Sequence, residues 1–280
     1  MGKPNGAFII ILANATMPLM ARRQNNKIII ALGGSIIMSA KGEINIFFLK
    51  KFRKFILGFV KQRRHFVVVT GGGTTARAYQ KAARKIARLS HEDMDWLGIH
   101  ATRINGHLLR TIFRDKAYPT ILDDPHKPVK TTRPIIIAAG WRPGWSTDYI
   151  AVLLAKRFKV KQIIDAGNIP FVFTKDHKKY KNAKPIKSIT WQKYQKLIDS
   201  SWTPGMPAPI DPIAAKEARR SNINAVIIDG KNLKNFRKVL LEQRYVGTFI
   251  GNGQTRLRLA SAKASADRQD YGEAKKVEIF

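Results

Sequence analysis

The sequence predicts an α/β protein, a three-layer α/β/α sandwich with a mainly parallel central sheet. Three features of the chain point there. Short β-branched apolar runs end in glycine turns and pass straight into helical patterns, first at Lys27–Leu32 with Gly33-Gly34-Ser35, then at Phe66–Thr70 with Gly71-Gly72-Gly73. A third such unit joins Pro134–Ala139 to the loop from Gly140 to Asp148 and a helix from Tyr149. The strand and helix patterns alternate along most of the chain, and parallel strands need crossover helices that cover both faces of the sheet.

Taken in order, residues 1–26 read as an extension outside the fold. Ala7–Leu12 followed by Ala13-Asn14-Ala15 faintly resembles a signal cleavage site. The sparse n-region and the nearby Arg22-Arg23 argue against export and favour a loose extension, or a true start at Met17 or Met20. After the first glycine turn, residues 46–62 place Phe47, Phe48, Phe52, Phe55, Ile56 and Phe59 at helical spacing, a stripe read as core. Ala76–Leu89 continues as a basic helix. Asp93–Leu109 follows as a helix whose embedded Asp95, Gly98, Arg103 and Asn105 need polar partners, internal or from a ligand. Residues 115–133, broken by prolines, read as a flexible loop or flap.

Beyond the third glycine unit, Val160–Ala166 reads as a strand and 175–187 as a lysine-rich surface loop. A helix is expected after Thr190 as N-cap, another over 212–220, a strand at Ala225–Ile228, a helix at Leu233–Glu242 and a last strand at Tyr245–Ile250. Residues 253–280 form a polar tail without a motif. The domain division is 27–165 for one ligand, 166–252 for a second within the same domain, and the two extensions.

Composition narrows the function. With 280 residues and 44% hydrophobic content, a sizeable core is available, and no run is long enough to span a membrane. The absence of cysteine removes disulfides, thiolate metal sites and a Cys nucleophile, and is compatible with a cytoplasmic location. Fifty-one Lys+Arg against 19 Asp+Glu give a formal charge of +32, which attracts phosphorylated ligands and polyanions. The basic residues are dispersed and accompany no nucleic-acid motif, so nucleic acid is not the expected partner.

The glycine turns carry the chemistry. A strand, a glycine turn and a helix N-terminus let backbone N–H groups approach a phosphate in the favourable field of the helix dipole. Arg77 in the first turn can close on the same phosphate as a two-pronged donor. A tight βα turn with a solvated Arg77 is the plainer alternative, and capping is the plainer role for Ser146, Thr147 and Asp148.

The ordered motifs resemble the amino acid kinase family, and within it the archaeal-type UMP kinases. They are G-G-S at 33–35, G-G-G-x-x-A-R at 71–77, D-x-x-G-I-x-A-T-R-x-N at 95–105 and P-G-x-S-T-D at 143–148. A-x-x-x-A-K at 151–156, I-D-P-x-A-A-K at 210–216, D-G at 229–230 and G-T-x-I at 247–250 complete the set. The resemblance covers about Lys27 to Ile250. It implies the amino acid kinase fold, phosphoryl transfer from ATP to UMP with Mg²⁺, and a homo-oligomer, a hexamer in that family.

Carried over position by position, the resemblance implies that UMP meets Gly72, Asp95 and the loop Trp141, Arg142, Pro143, Gly144, Trp145, Ser146 and Thr147. ATP would meet Gly34, Ser35, Gly73 and Arg77, with Gly167, Asn168, Phe173 and Asp176 on the far side. Asp148 and Asp211 are the candidates for organising charge around a metal, and helix capping is their plainer role.

Two departures from the family pattern stand out. Most members place a lysine two residues before the first Gly-Gly, and here that residue is Ala31. Arg142 or Lys216 is expected to replace its charge, making Lys216, Arg142 and Asp211 the catalytic candidates. The family's T-N-V-D-G-V-Y loop reads Gly167-Asn-Ile-Pro-Phe-Val-Phe173, where Pro170-Phe171 should reshape the backbone. These departures leave open a nucleotide-binding regulator without catalysis, a family kinase with another acceptor, and a nucleic-acid-associated protein.

Overall fold

The computed structural model describes residues 26–175, 180–198 and 208–252. The expected N-terminal extension (but for residue 26) and polar tail fall outside them, as do parts of the lysine-rich loop and of the Pro/Gly-rich segment before Ile210.

Nine strands and eight helices are formed by the described residues. They run β1 (Lys27–Leu32), α1 (Gly34–Ile37), α2 (Ile46–Lys61), β2 (His65–Thr70), α3 (Gly73–Ile86), α4 (His91–Phe113), β3 (Ile135–Ala138), α5 (Thr147–Arg157) and β4 (Gln162–Gly167). Then follow β5 (Val172–Phe173), β6 (Pro185–Ile186), β7 (Ser188–Thr190), α6 (Trp191–Leu197), α7 (Pro212–Arg220), β8 (Asn224–Asp229), α8 (Leu233–Leu240) and β9 (Thr248–Gly251). Seven strands form one sheet in the order β3-β2-β1-β4-β8-β9-β7. Every neighbouring pair is parallel except β8 with β9. The three-layer α/β/α reading is thereby met.

Strand alternation sends side chains to two separate cores. Ile30, Leu32, Val68 and Ile164 pack under α2, the end of α4 and α8, with Phe52, Phe113 and Phe236 at the centre. Ile29, Ala31, Val69 and Ile163 pack under α5, α6 and α7, with Trp191 and Tyr194 filling the deepest space. Caps fix where the helices begin. Asn45 accepts from the Phe48 N–H, and Ser90 with Asp93 closes a reciprocal capping box on α4.

Several expectations are corrected. Phe47 belongs to the aromatic periodicity of α2 but is 69% exposed, with the Lys51 ammonium 3.8 Å from its ring centre. Phe48, Phe52, Ile56 and Phe59 are buried in the core, and Phe55 is half-buried against it. The segment expected as a loose flap at 115–133 is partly built in. Ala117 bridges Ile135, Leu122 bridges Ala138, and both side chains are buried. Helix α3 starts at Gly73, three residues before the expected start, because glycine accepts the positive φ of +56° there. The last strand begins at Thr248, since the Val246 backbone is already engaged at both N–H and C=O by the Asn235 side chain. The one-turn helix α1 and the short strands β5, β6 and β7 are not among the expected elements, and β6 (Pro185–Ile186), paired with β5, lies inside the segment expected as a lysine-rich surface loop.

Candidate phosphate-binding site

The carboxyl ends of β1, β2, β3 and β4 open onto a cavity of about 630 Å³. Such crevices at the strand ends of open α/β sheets are where ligands bind. Its floor is two glycine turns laid backbone against backbone. The Gly33 N–H donates to the Ala166 carbonyl at 3.0 Å, and the Gly71 N–H to that of Leu32 at 2.9 Å. A Cβ at Gly34 would lie 2.3 Å from the Gly71 oxygen, and one at Gly73 would lie 2.2 Å from the Gly34 carbonyl carbon. No side chain larger than hydrogen fits at either position.

Helix α4 holds the second turn in place from behind. The Asn105 amide donates to the Gly71 carbonyl at 2.8 Å and to that of Gly72 at 3.3 Å. With those carbonyls occupied, the N-terminus of α3 faces the cavity with first-turn N–H groups that have no partner inside the helix. Arg77 spans the two turns: its Nη2 donates to Ser35 Oγ at 2.8 Å and to Thr74 Oγ1 at 3.2 Å. It is the one cationic side chain among the described residues lining the cavity.

The opposite wall comes from α4 and the loop before α5. Asp95 accepts the Gly144 N–H at 2.7 Å, so the loop is tied to the helix. Burial raises the Asp95 carboxyl, and that hydrogen bond partly offsets the shift. Thr102 Oγ1 accepts the Gly140 N–H at 2.7 Å and donates to the Ile99 carbonyl at 2.6 Å. Thr102→Val keeps the shape but leaves the buried Gly140 N–H without an acceptor. It is expected to cost about 1–3 kcal/mol in denaturant unfolding, and to lower turnover by loosening the loop.

Ser146 caps α5 through the Tyr149 N–H and donates its own hydroxyl to Asp211. Asp211 caps α7, accepting the N–H groups of Ile213 at 2.8 Å and Ala214 at 3.0 Å. Capping is therefore part of what Ser146 and Asp211 do, and both also line the cavity.

Three carboxyls share this region. Asp165 on β4 is 8% exposed, and burial pushes it up to about 7. Burial and then the charges of Asp165 and Asp211 raise Asp148 well above the usual carboxylate range. Asp211 is raised by burial, with Ser146 and the capping N–H groups opposing. These folded-state values lie above the unfolded ones, so the native protein binds more protons than the unfolded chain. Stability is therefore fully held below the ordinary carboxylate pKa and is lost as pH rises toward 7.

Most of the expected residues meet here. Gly34, Ser35, Gly72, Gly73, Arg77, Asp95, Trp145, Ser146, Thr147, Gly167, Asn168 and Asp211 all line the cavity. Trp141, Arg142, Pro143 and Gly144 do not. Arg142 is exposed, with its guanidinium stacked 4.2 Å from the Trp141 ring centre and 5.4 Å from that of Trp145. Lys216 is exposed on α7 away from the cavity lining, and Phe173 packs edge-on to Phe171 outside it. Neither expected replacement for the family lysine stands at the floor. Asp176 lies outside the described residues. Despite Pro170-Phe171, the 167–171 loop keeps Gly167, Asn168 and Ile169 at the cavity.

Asp165 is the residue that sequence reasoning missed. An acid inside the run Ile163-Ile164-Asp165-Ala166 was the available signal, because an isolated carboxylate is costly to bury. Asn105 was legible only as a polar residue on a buried helix face, and Thr102 was not singled out.

Glycine turns, a helix N-terminus and one bridging arginine around a strand-end cavity define an α/β phosphate-binding protein. The family model described as "Amino acid kinase family" matches residues 26–229. The chain belongs to the amino acid kinase family. It is 31% identical over 234 residues to the uridylate kinase of Methanocorpusculum labreanum, spanning 82% of this chain and 97% of that protein. To the uridylate kinase of Thermoplasma acidophilum it is 32% identical over 233 residues, 82% of this chain and 99% of that one. The crystal structure of uridylate kinase from Archaeoglobus fulgidus superposes with a TM-score of 0.67 at 29% identity, covering 80% of this chain and all of the other. An aspartate kinase from Synechocystis shares the fold, at 16% identity and a TM-score of 0.59.

Proposed function

We propose that this protein is a UMP kinase, transferring the terminal phosphoryl group of ATP to UMP to give UDP and ADP. The observation that carries this reading is the backbone contact of the two glycine turns, with Arg77 bridging Ser35 of one and Thr74 beside the other. Two phosphate-binding turns packed backbone against backbone suit an in-line transfer between two phosphates. The names of the relatives supply the identity of the acceptor.

Residues 27–165 would hold UMP and 166–252 ATP. Asp95 would accept hydrogen bonds from the uridine part of the acceptor, and Thr147 would donate to its phosphate. No general base is needed, because the acceptor phosphate is already ionised, and the protein's task is alignment and charge stabilisation. Arg77 and the α3 N–H groups perform the second task.

Kinase chemistry implies Mg²⁺. Among the described residues no three His, Asp or Glu side chains are grouped to hold a metal ion. That suits Mg²⁺ carried mainly by nucleotide phosphates, since this ion keeps its waters and needs few protein ligands. Bound there, it would neutralise charge on the phosphates. The further expectations are a homo-oligomer, a hexamer as in the family, and a cytoplasmic location. No described helix is long and apolar enough to cross a membrane.

The test is ADP release from ATP and Mg²⁺ with UMP, CMP, AMP or no acceptor. UMP-dependent turnover is expected, and Asp95→Ala should raise the KM for UMP about tenfold or more with a smaller change in kcat. UMP binding by calorimetry without turnover from any acceptor would replace this reading with that of a nucleotide-binding regulator, the reading that Ala31 favours.

A further inference from the structure

Ala31 and Asp165 are register partners on adjacent strands, β1 and β4, and both point to the core beneath α5 and α7. On its other side Asp165 pairs in register with Ile227 of β8. Neither flanking strand therefore offers a cation. The titratable groups that feel the Asp165 charge are Asp148 from α5 and Tyr194 of α6, and Asp211 at the head of α7 in turn adjoins both of them. The Tyr194 hydroxyl is spent on the Ile210 backbone, donating at 2.7 Å and accepting at 2.9 Å. Among the described residues nothing donates to the Asp165 carboxyl, and burial favours its protonated form.

Asp165 is nevertheless aimed at the cavity floor. It lines the same space as Gly33, Gly34 and Gly167, and a Cβ on Gly167 would sit 3.7 Å from its Oδ1. A carboxylate there would repel any phosphate held by the glycine turns. A carboxylic acid would not, because it presents a hydroxyl donor.

Resting on the nucleotide kinase reading above, we propose that Asp165 works as a neutral acid, donating its hydroxyl hydrogen to a phosphate oxygen of the bound nucleotide at the floor beside Ala31. The proton stays on Asp165 throughout, so the bond adds a donor where the floor has no cation and leaves the reaction's proton balance unchanged. Binding of the anionic nucleotide favours the protonated acid, and so draws a proton from solvent whenever Asp165 was ionised beforehand. The proximity of Asp148 and Asp211 acts in the same direction, since three neighbouring carboxyls do not all ionise together.

The experiment is calorimetry of Mg·ATP binding to the full chain between pH 6 and pH 8.5, in two buffers of different ionisation enthalpy. Wild type, Asp165→Asn and Asp165→Ala are compared after each is shown to melt cooperatively. The wild type is expected to take up protons on binding at pH 8, and to bind progressively more weakly above pH 7. Asparagine keeps a neutral donor in the same place. It should stay within about threefold of wild type at pH 6, take up fewer protons and show a flatter pH profile. Alanine, which removes the donor and the charge alike, should bind about tenfold or more weakly than wild type at pH 6, and the gap should close as the pH rises above 7.

If Asn weakens binding as much as Ala, or leaves proton uptake as in wild type, the neutral-donor role is wrong. A Mg²⁺ requirement that rises sharply in Asn would likewise overturn it, in favour of a carboxylate–metal contact. Binding is measured without turnover, so absence of UDP formation would count against the kinase reading alone.

Discussion

Gly34→Ala and Gly73→Ala are each expected to abolish measurable phosphoryl transfer, and to destabilise the protein by about 1–3 and about 2–5 kcal/mol respectively. The loss has a geometric cause. A methyl group at Gly34 would meet the Gly71 oxygen at 2.3 Å and the Gly72 carbonyl carbon at 2.6 Å. Those atoms are backbone and cannot turn aside. Forcing extra volume into such a contact costs about 1–3 kcal/mol, and at Gly73 the φ of +56° adds about 1–2 kcal/mol for any side chain.

Relief comes only by parting the two turns, which displaces the α3 N–H groups from the phosphate position. A shift of about 1 Å is enough to cost orders of magnitude in rate. Gly42→Ala is the contrast: that glycine also has positive φ, +83°, yet nothing lies within 4 Å of an added Cβ. It should lose about 1 kcal/mol and keep full turnover. Chemical denaturation and the ADP-release assay measure both quantities. Normal turnover in Gly34→Ala would show that the two turns do not form one phosphate cradle.

The same turns explain what the sequence made legible. Each strand–glycine–helix unit is local and its signals lie within a dozen residues, so the three strands and their glycine turns are legible with boundaries close to those observed, whereas the one-turn helix α1 is not. The site residues on those units, from Gly34 to Arg77 and from Trp145 to Thr147, could therefore be named in advance. What could not be read depends on neighbours far apart in sequence. Whether Lys216 of α7 points at the cavity is decided by the pitch of α7 against α5, and its apolar Ala214, Ala215 and Ala218 face turns the lysine outward. Arg142 was expected at a phosphate, but Trp141 and Trp145 flank it in sequence and hold its guanidinium by stacking. Asp165 was overlooked because its meaning lies in register: Ala31 beside it is 134 positions away and becomes its neighbour only through the β1–β4 pairing.

The absence of Lys216 and Arg142 from the floor concentrates the cationic work on Arg77, and sets the second large expectation. Arg77→Ala should lower kcat/KM by about 10²–10³-fold, equivalent to about 3–4 kcal/mol of transition-state stabilisation. Arg77 is exposed, and its two side-chain hydrogen bonds are to hydroxyls that water can satisfy. Unfolding free energy should therefore change by no more than about 0.5 kcal/mol. That separation is what distinguishes a phosphate donor from a brace between Ser35 and Thr74.

Arg77→Lys is the sharper comparison. Lysine keeps the charge but loses the planar fork that can hold Ser35 and a phosphate together. It should recover part of the rate, and the recovered part should weaken as salt is added, because a point charge at an exposed site is screened. Steady-state kinetics at low and moderate ionic strength decide between the outcomes. Unchanged kcat/KM in Arg77→Ala would leave charge stabilisation to the α3 N–H groups and to Mg²⁺. A fall in stability matching the fall in rate would make Arg77 a brace.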